Sequence, residues 1–281
     1  MIEHNMDHRL LTYSREWAIY TEKAAKYQRF IMQVVGYTNA LFTQFEYTGL
    51  FLTLLENSDD NPRLKNLRDQ IEGTRDSKSV AATSLASLPF EGVKVMEIGG
   101  PFGQVLHTLG AEVWCVDPDI EGKSEFQKMD WNYSPSNRNE TYHPIPQRLT
   151  LANWQNLVGD QQFDVAYSRL VLSIDSGTSG DWRKHLPDYS HGYHEAQAEY
   201  ERIIAEKREA EEQARRDIFV ISAMATKDRG LVMHEGDTLA EVKPLAPGVR
   251  LEFKERRLDY LFDHETRRPY DGSELLVFRK Q

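Results

Sequence analysis

The sequence predicts an α/β fold: a three-layer sandwich, doubly wound around a mostly parallel sheet, with a helical segment ahead of it. Three observations carry this. Val93, Val95, Met96 and Ile98 form a short apolar run of the kind buried on both faces of a parallel sheet. That run ends at Gly99, Gly100 and Gly103, where a chain without Cβ atoms turns tightly. Phe102, Val105, Leu106 and Leu109 then follow at helical spacing, and Val113–Val116 reads as a second strand closed by Asp117. Further on, segments of helical and strand character alternate, the pattern of a sheet covered on both faces.

Composition bounds what such a fold can do. The chain has 281 residues, 40% of them hydrophobic and 28% charged, enough apolar material for one large core or a core with an appendage. Its formal charge of −10 and pI near 5.4 disfavour nucleic acid as a partner, because neutralising phosphates demands a basic stripe. The most apolar stretch, 30–55, is broken by Gln33, Asn39, Gln44 and Glu46, so no membrane-spanning segment is expected. Cys115 is the single cysteine, which agrees with a reducing compartment, and the N-terminus lacks a signal-peptide pattern. The expectation is a cytoplasmic protein.

In chain order, residues 1–56 read as two or three helices. Tyr20, Ala24, Tyr27, Ile31, Val34, Leu41, Phe42 and Phe45 keep a three-four spacing that Leu50, Phe51, Leu54 and Leu55 continue. The turn cluster 56–62 leads to a polar helix over 63–72, and 77–88 forms a small docking helix. Residues 1–87 are therefore expected as a helical segment that caps the substrate or makes a homodimer, although an aromatic stripe of this spacing also suits plain core packing. After Asp117, residues 121–128 are short and polar, Met129-Asp130-Trp131 reads as the tail of a third strand, and 132–146 reads as loop. Leu149, Leu151, Trp154, Leu157 and Val158 mark a helix stopped by Gly159. Phe163–Ser168 is a fourth strand, 174–191 a turn-rich insertion, and 193–216 a charged, solvated helix. Ile218–Ser222 is read as strand five, and 249–253 and 275–278 as the last two strands around an Asp271-Gly272 turn.

Glu97-x-Gly99-x-x-x-Gly103, followed by Asp117, resembles motif I of the class I S-adenosylmethionine-dependent methyltransferases, with Pro101 where that family often has a further glycine. Phe163-Asp164-Val165-x-x-Ser168-x-x-Val171-Leu172 resembles its motif IV. The resemblance covers about residues 88–281, and within it the stretches 132–160 and 175–194 count as insertions. It implies a seven-stranded Rossmann-like sheet with an antiparallel strand at the edge, near 274–279. It also implies S-adenosyl-L-methionine as cofactor and methyl transfer as activity. Glu97, Gly99, Gly100 and Gly103 would then meet the donor's amino-acid end, and Asp117 with Pro118 its ribose. Asp130 and Trp131 would meet the adenine, while Ser168 and Arg169 would line the crevice.

The acceptor is expected to be a small, partly apolar molecule. His191 and His194, in the insertion after strand four, are the candidate catalytic bases, with His185 and His234 as further histidines in range, since imidazole titrates near neutrality. No metal is expected. Two alternatives stay open: a catalytically inactive methyltransferase-like scaffold, and a nicotinamide-dependent oxidoreductase. The second would want G-x-G-x-x-G, and the chain has Gly99, Pro101 and Gln104 at those places.

Overall fold

The computed structural model describes residues 22–34, 45–99, 102–117, 139–168, 202, 205, 209, 213–235, 242, 248–257, 262–263, 268–269 and 275–281. Residues 22–34 are helical (α1), followed by α2 (Phe45–Glu56), α3 (Pro62–Gly73) and α4 (Ser77–Ser87). Local chemistry sets the helix starts. The Asn61 side chain accepts hydrogen bonds from the N–H groups of Arg63 and Leu64, with Pro62 opening the helix. Asp76 does the same for Lys78 and Ser79. Each cap satisfies donors that a first turn leaves unpaired.

The sheet then begins: β1 (Lys94–Ile98), α5 (Phe102–Thr108), β2 (Glu112–Val116), β3 (Tyr142–Ile145), α6 (Trp154–Val158) and β4 (Phe163–Ser168). Helical residues 213–225 (α7) lead into β5 (Thr226–Glu235), with β6 (Leu251–Arg257) and β9 (Leu275–Lys280) completing it. The two-residue strands β7 (Phe262–Asp263) and β8 (Arg268–Pro269) pair with each other outside it. The seven strands lie in the order β3-β2-β1-β4-β5-β9-β6. All are parallel except β9, which runs antiparallel to both β5 and β6 and so sits one place in from the edge.

Two readings of the sequence need correction. Ile218–Ser222 is helix, not strand: Ala214, Ile218, Ile221 and Ala225 recur at helical spacing and are buried on one face. A short unbroken apolar run does not distinguish a buried strand from a buried helix, and here helical residues 213–225 run through it. Strand five is β5, and its first residues, Lys227, Asp228 and Arg229, are exposed in an irregular stretch before Leu231. Likewise the strand beside β2 comes from within the stretch read as loop. Tyr142–Ile145 pairs with Val113–Val116 even though Pro144 interrupts it, as an edge strand tolerates. Residues 121–131 lie outside the described residues.

One apolar core joins the N-terminal helices to the sheet. Ala24, Tyr27, Phe30, Phe51 and Leu67 share a cluster with Val95, Val113, Val165, Leu231 and Val277. Phe51 is its hub, stacked on Phe30 at 5.7 Å, edge-on to Tyr27 at 6.1 Å and tilted against Phe90 at 6.2 Å. The opposite face carries Met96, Ile98, Trp114, Phe163 and Ala166 under α6 and α7. The helices are also tied by polar groups: Lys23 pairs with Glu56 and Glu72, Tyr27 donates to Glu72 at 2.8 Å, and Arg257 of β6 pairs with Glu56. Among the described residues no helix is long and apolar enough to cross a membrane.

Candidate functional site

In a parallel doubly wound sheet, ligands bind beyond the carboxyl ends of the strands. Here those ends are aligned by register. Ile98 of β1 is opposite Val116 of β2 and Ser168 of β4, and Ser168 is opposite His234 of β5. The residues that follow, Gly99 and Asp117, therefore leave the sheet side by side.

Gly99 turns with φ +87°, a left-handed conformation that costs glycine little, and its N–H donates to the Val116 carbonyl at 3.0 Å. Asp117 is buried at the tip of β2, where its N–H donates to the Ile145 carbonyl at 3.1 Å. Both bonds bind the turn and the acid to neighbouring strand ends.

Glu97 is fully buried and points at α5, where its Oε2 accepts the Gly103 N–H at 2.7 Å. A carboxylate there satisfies one donor of the helix's first turn and matches the sign of its dipole. The packing explains why residue 103 is glycine: a Cβ would lie 2.6 Å from Glu97 Oε2 and 2.7 Å from Val113 Cγ1. Close by, burial, together with the neighbouring Cys115 and Glu97, raises the Tyr142 phenol above its usual range.

At the other half of the edge, Ser168 Oγ and His234 Nδ1 are 2.6 Å apart, both buried, with Phe219 of α7 edge-on to the imidazole at 5.1 Å between ring centres. On the opposite face of the same strands Tyr167 donates to Glu235 Oε2 at 3.4 Å. Asp164 is at the far end of β4, where it accepts the Lys94 N–H at 2.9 Å and pairs with Lys227.

Of the residues expected at the site, Glu97, Gly99, Gly103, Asp117 and Ser168 come together at this edge. Gly100, Pro118, Asp130, Trp131, Arg169, His191 and His194 lie outside the described residues, as does His185. The sequence reading placed His234 beyond strand five; it lies within β5. It passed over Tyr167 and Glu235 as site residues. The signal was there: Leu231-Val232-Met233 followed by His234-Glu235 repeats the pattern of an apolar run ending in polar residues that marked Val116-Asp117. Among the described residues no group of three or more His, Cys, Asp or Glu is placed to hold a metal ion.

No family model matches the chain, and no curated protein matches it. Solved structures do. A TehB-like SAM-dependent methyltransferase from Corynebacterium glutamicum is 15% identical, the match covering 73% of this chain and 94% of that one with a TM-score of 0.36. The N-methyltransferase NodS from Bradyrhizobium japonicum is 11% identical over 70% of this chain and 93% of its own, with a TM-score of 0.35. TrmN from Thermus thermophilus is 13% identical over 72% of this chain and 48% of its own, with a TM-score of 0.39. The strand order speaks to the architecture directly. Six parallel strands, one antiparallel strand inserted next to the edge, and a glycine turn after β1 give this chain a Rossmann-like, doubly wound fold.

Proposed function

We propose that this protein binds S-adenosyl-L-methionine at the carboxyl edge of β1, β2 and β4 and transfers its methyl group to a small, partly apolar acceptor. One observation carries the reading: Gly99 and Asp117 leave the sheet side by side, behind a turn whose Gly103 is locked to Glu97. The turn brings backbone close to a ligand, and the Asp117 carboxylate stands one strand away. The hydroxyls of a ribose beside that turn would donate to the Asp117 carboxylate.

The residues present fit the group, with one refinement. Glu97 Oε2 is engaged by the Gly103 N–H, so Glu97 shapes the turn, and its charge acts on a sulfonium through the local field. When bound, the donor supplies an electrophilic methyl, and the chain's own work is to hold it in line with the acceptor and exclude water. The acidic chain supports a small acceptor over a nucleic acid.

Calorimetric titration with S-adenosylmethionine, S-adenosylhomocysteine and NAD tests the reading. Binding of the first two without the third is expected. Binding of NAD alone, or of none, overturns it.

A further inference from the structure

A second cleft opens at the other end of the sheet from Gly99 and Asp117. It is bounded by the amino ends of β4 and β5 and by the turn between α2 and α3, and its volume of about 780 Å³ is that of a small-molecule site. Leu64, Val93, Val165 and Leu231 line it, all members of the core shared by helices and sheet. The charged groups around them are not equally committed. Arg279 is held by Asp60 at 2.9 Å and by the carbonyls of Asn57 and Arg229 at 2.7 and 3.0 Å, and Lys227 pairs with Asp164. Arg63 reaches only the Glu91 carboxylate at 3.4 Å and its carbonyl at 3.5 Å, and Arg229 only Asp60 at 3.6 Å, with side chains 60% and 78% exposed. Long, exposed pairs contribute little, so either guanidinium can turn to another anion at small cost. Asp228 is exposed and, among the described residues, has no cation paired with it.

The backbone singles out Arg229. Its φ is +64°, a left-handed conformation that an arginine adopts at a cost and a glycine without one. Glycine stands instead at 230, where a Cβ would lie 2.6 Å from Thr226 Cγ2 and 2.9 Å from the Asp164 carbonyl. Packing accounts for Gly230. Any residue at 229 would supply the carbonyl that Arg279 uses, so the fold does not ask for arginine there; the cleft does.

We propose that this cleft binds a free amino acid with a large apolar side chain. Its carboxylate is taken by Arg229 and Arg63, its ammonium by Asp228, and its side chain lies over Leu64, Val93, Val165 and Leu231. The balance of charge selects such a ligand. Four cations (Arg63, Lys227, Arg229, Arg279) and four acids (Asp60, Glu91, Asp164, Asp228) leave the rim without a net field to draw a simple anion or cation. A neutral ligand bearing both signs meets the two loosely held guanidiniums and the unpaired carboxylate together, and the guanidinium fork matches a carboxylate. The site is independent of the donor reading above.

Ligand-observed NMR titration of the full chain tests this with L-phenylalanine and three analogues that each lack one feature. Phenylalaninamide lacks the carboxylate, hydrocinnamate the ammonium, and glycine the apolar side chain. L-Phenylalanine is expected to bind with a millimolar or lower Kd, and each analogue at least about tenfold more weakly, the worth of a hydrogen bond to a charged group or of a buried ring. Arg229→Gly keeps the fold, since glycine accepts that backbone, and lowers L-phenylalanine affinity about tenfold while sparing phenylalaninamide. Asp228→Asn lowers it likewise and spares hydrocinnamate. A merely structural effect would weaken ligand and analogue alike. No binding of L-phenylalanine at millimolar concentration, or equal losses for ligand and analogue in either variant, overturns the proposal. Should a variant fail to unfold cooperatively in urea, Arg63→Gln and the analogue series on the unaltered protein decide it. S-adenosylhomocysteine is expected not to displace L-phenylalanine; displacement would put the amino acid in the donor crevice and overturn the site. Failure of S-adenosylhomocysteine to bind at all sinks the cofactor reading alone, and the analogues and variants still decide this one.

Discussion

Asp117 and Gly103 do different work a few ångströms apart. The first ends a strand with its backbone already bonded, so removing its carboxylate should spare the fold and remove ligand contacts. Asp117→Ala is expected to weaken S-adenosylmethionine binding by about 1.5–3 kcal/mol, the worth of hydrogen bonds to a charged group. Titration of the folded variant checks this, and unchanged affinity would place the ribose elsewhere. Gly103→Ala should act on both stability and binding. Its Cβ meets Glu97 Oε2 at 2.6 Å and Val113 Cγ1 at 2.7 Å, and neither neighbour is the free end of an exposed side chain. A loss of about 1–3 kcal/mol in urea denaturation is expected from such overpacking, together with weaker donor binding as the turn shifts.

Among the elements, α7 is the one whose identity rests on long-range packing. Ile221 is fully buried beneath the sheet in the same cluster as Met96 and Phe163, so Ile221→Ala should cost about 2–5 kcal/mol. Denaturant midpoints measure this, and a near-neutral change would mean that the helix does not cover this face. At the other layer, α1 is held by charge. Burial raises the Glu72 carboxyl and lowers the Lys23 ammonium, but their mutual hydrogen bond, with help from Tyr27 and Glu56, outweighs burial. Glu72 ends below its usual value and Lys23 above it. Because Glu72 is lowered on folding, its stabilisation is present above the unfolded carboxyl value of about 4.3 and is lost as pH falls through the folded one. Lys23 is the mirror case, stabilising up to about pH 10.4 and losing that contribution as pH rises through its folded value. Glu72→Gln is expected to cost about 1 kcal/mol at neutral pH, a modest figure for a half-exposed pair, and to flatten the acid limb of the stability curve. An unaltered acid limb would assign that limb to other carboxylates.

For the whole molecule, the shared core makes a mechanical claim. Phe51 lies in a helix far from β1 in sequence yet belongs to the cluster that buries Val95 and Val277. The helices and sheet should therefore melt together, with helix circular dichroism and the fluorescence of Trp114 and Trp154 tracing one transition. Phe51→Ala should lower that single transition by about 3–5 kcal/mol. Two separated transitions would show that the helices form an independent unit.

Much of this fold was legible because its signals are local. The apolar run 93–98, the glycines after it, the helix 102–109 and Asp117 all announce themselves within two dozen residues. Short-range sterics and helix-end hydrogen bonding dictate their conformations whatever lies nearby. The same holds for the caps at Asn61 and Asp76. What the sequence could not decide was set by partners distant in the chain. Ile218–Ser222 becomes helix because one face of β1 and β4 needs covering there, and Tyr142–Ile145 becomes strand because β2 offers an unpaired edge. The meeting of Ser168 with His234, 66 positions apart, depends on the register of β4 against β5, which backbone pairing and burial fix only once the sheet is assembled.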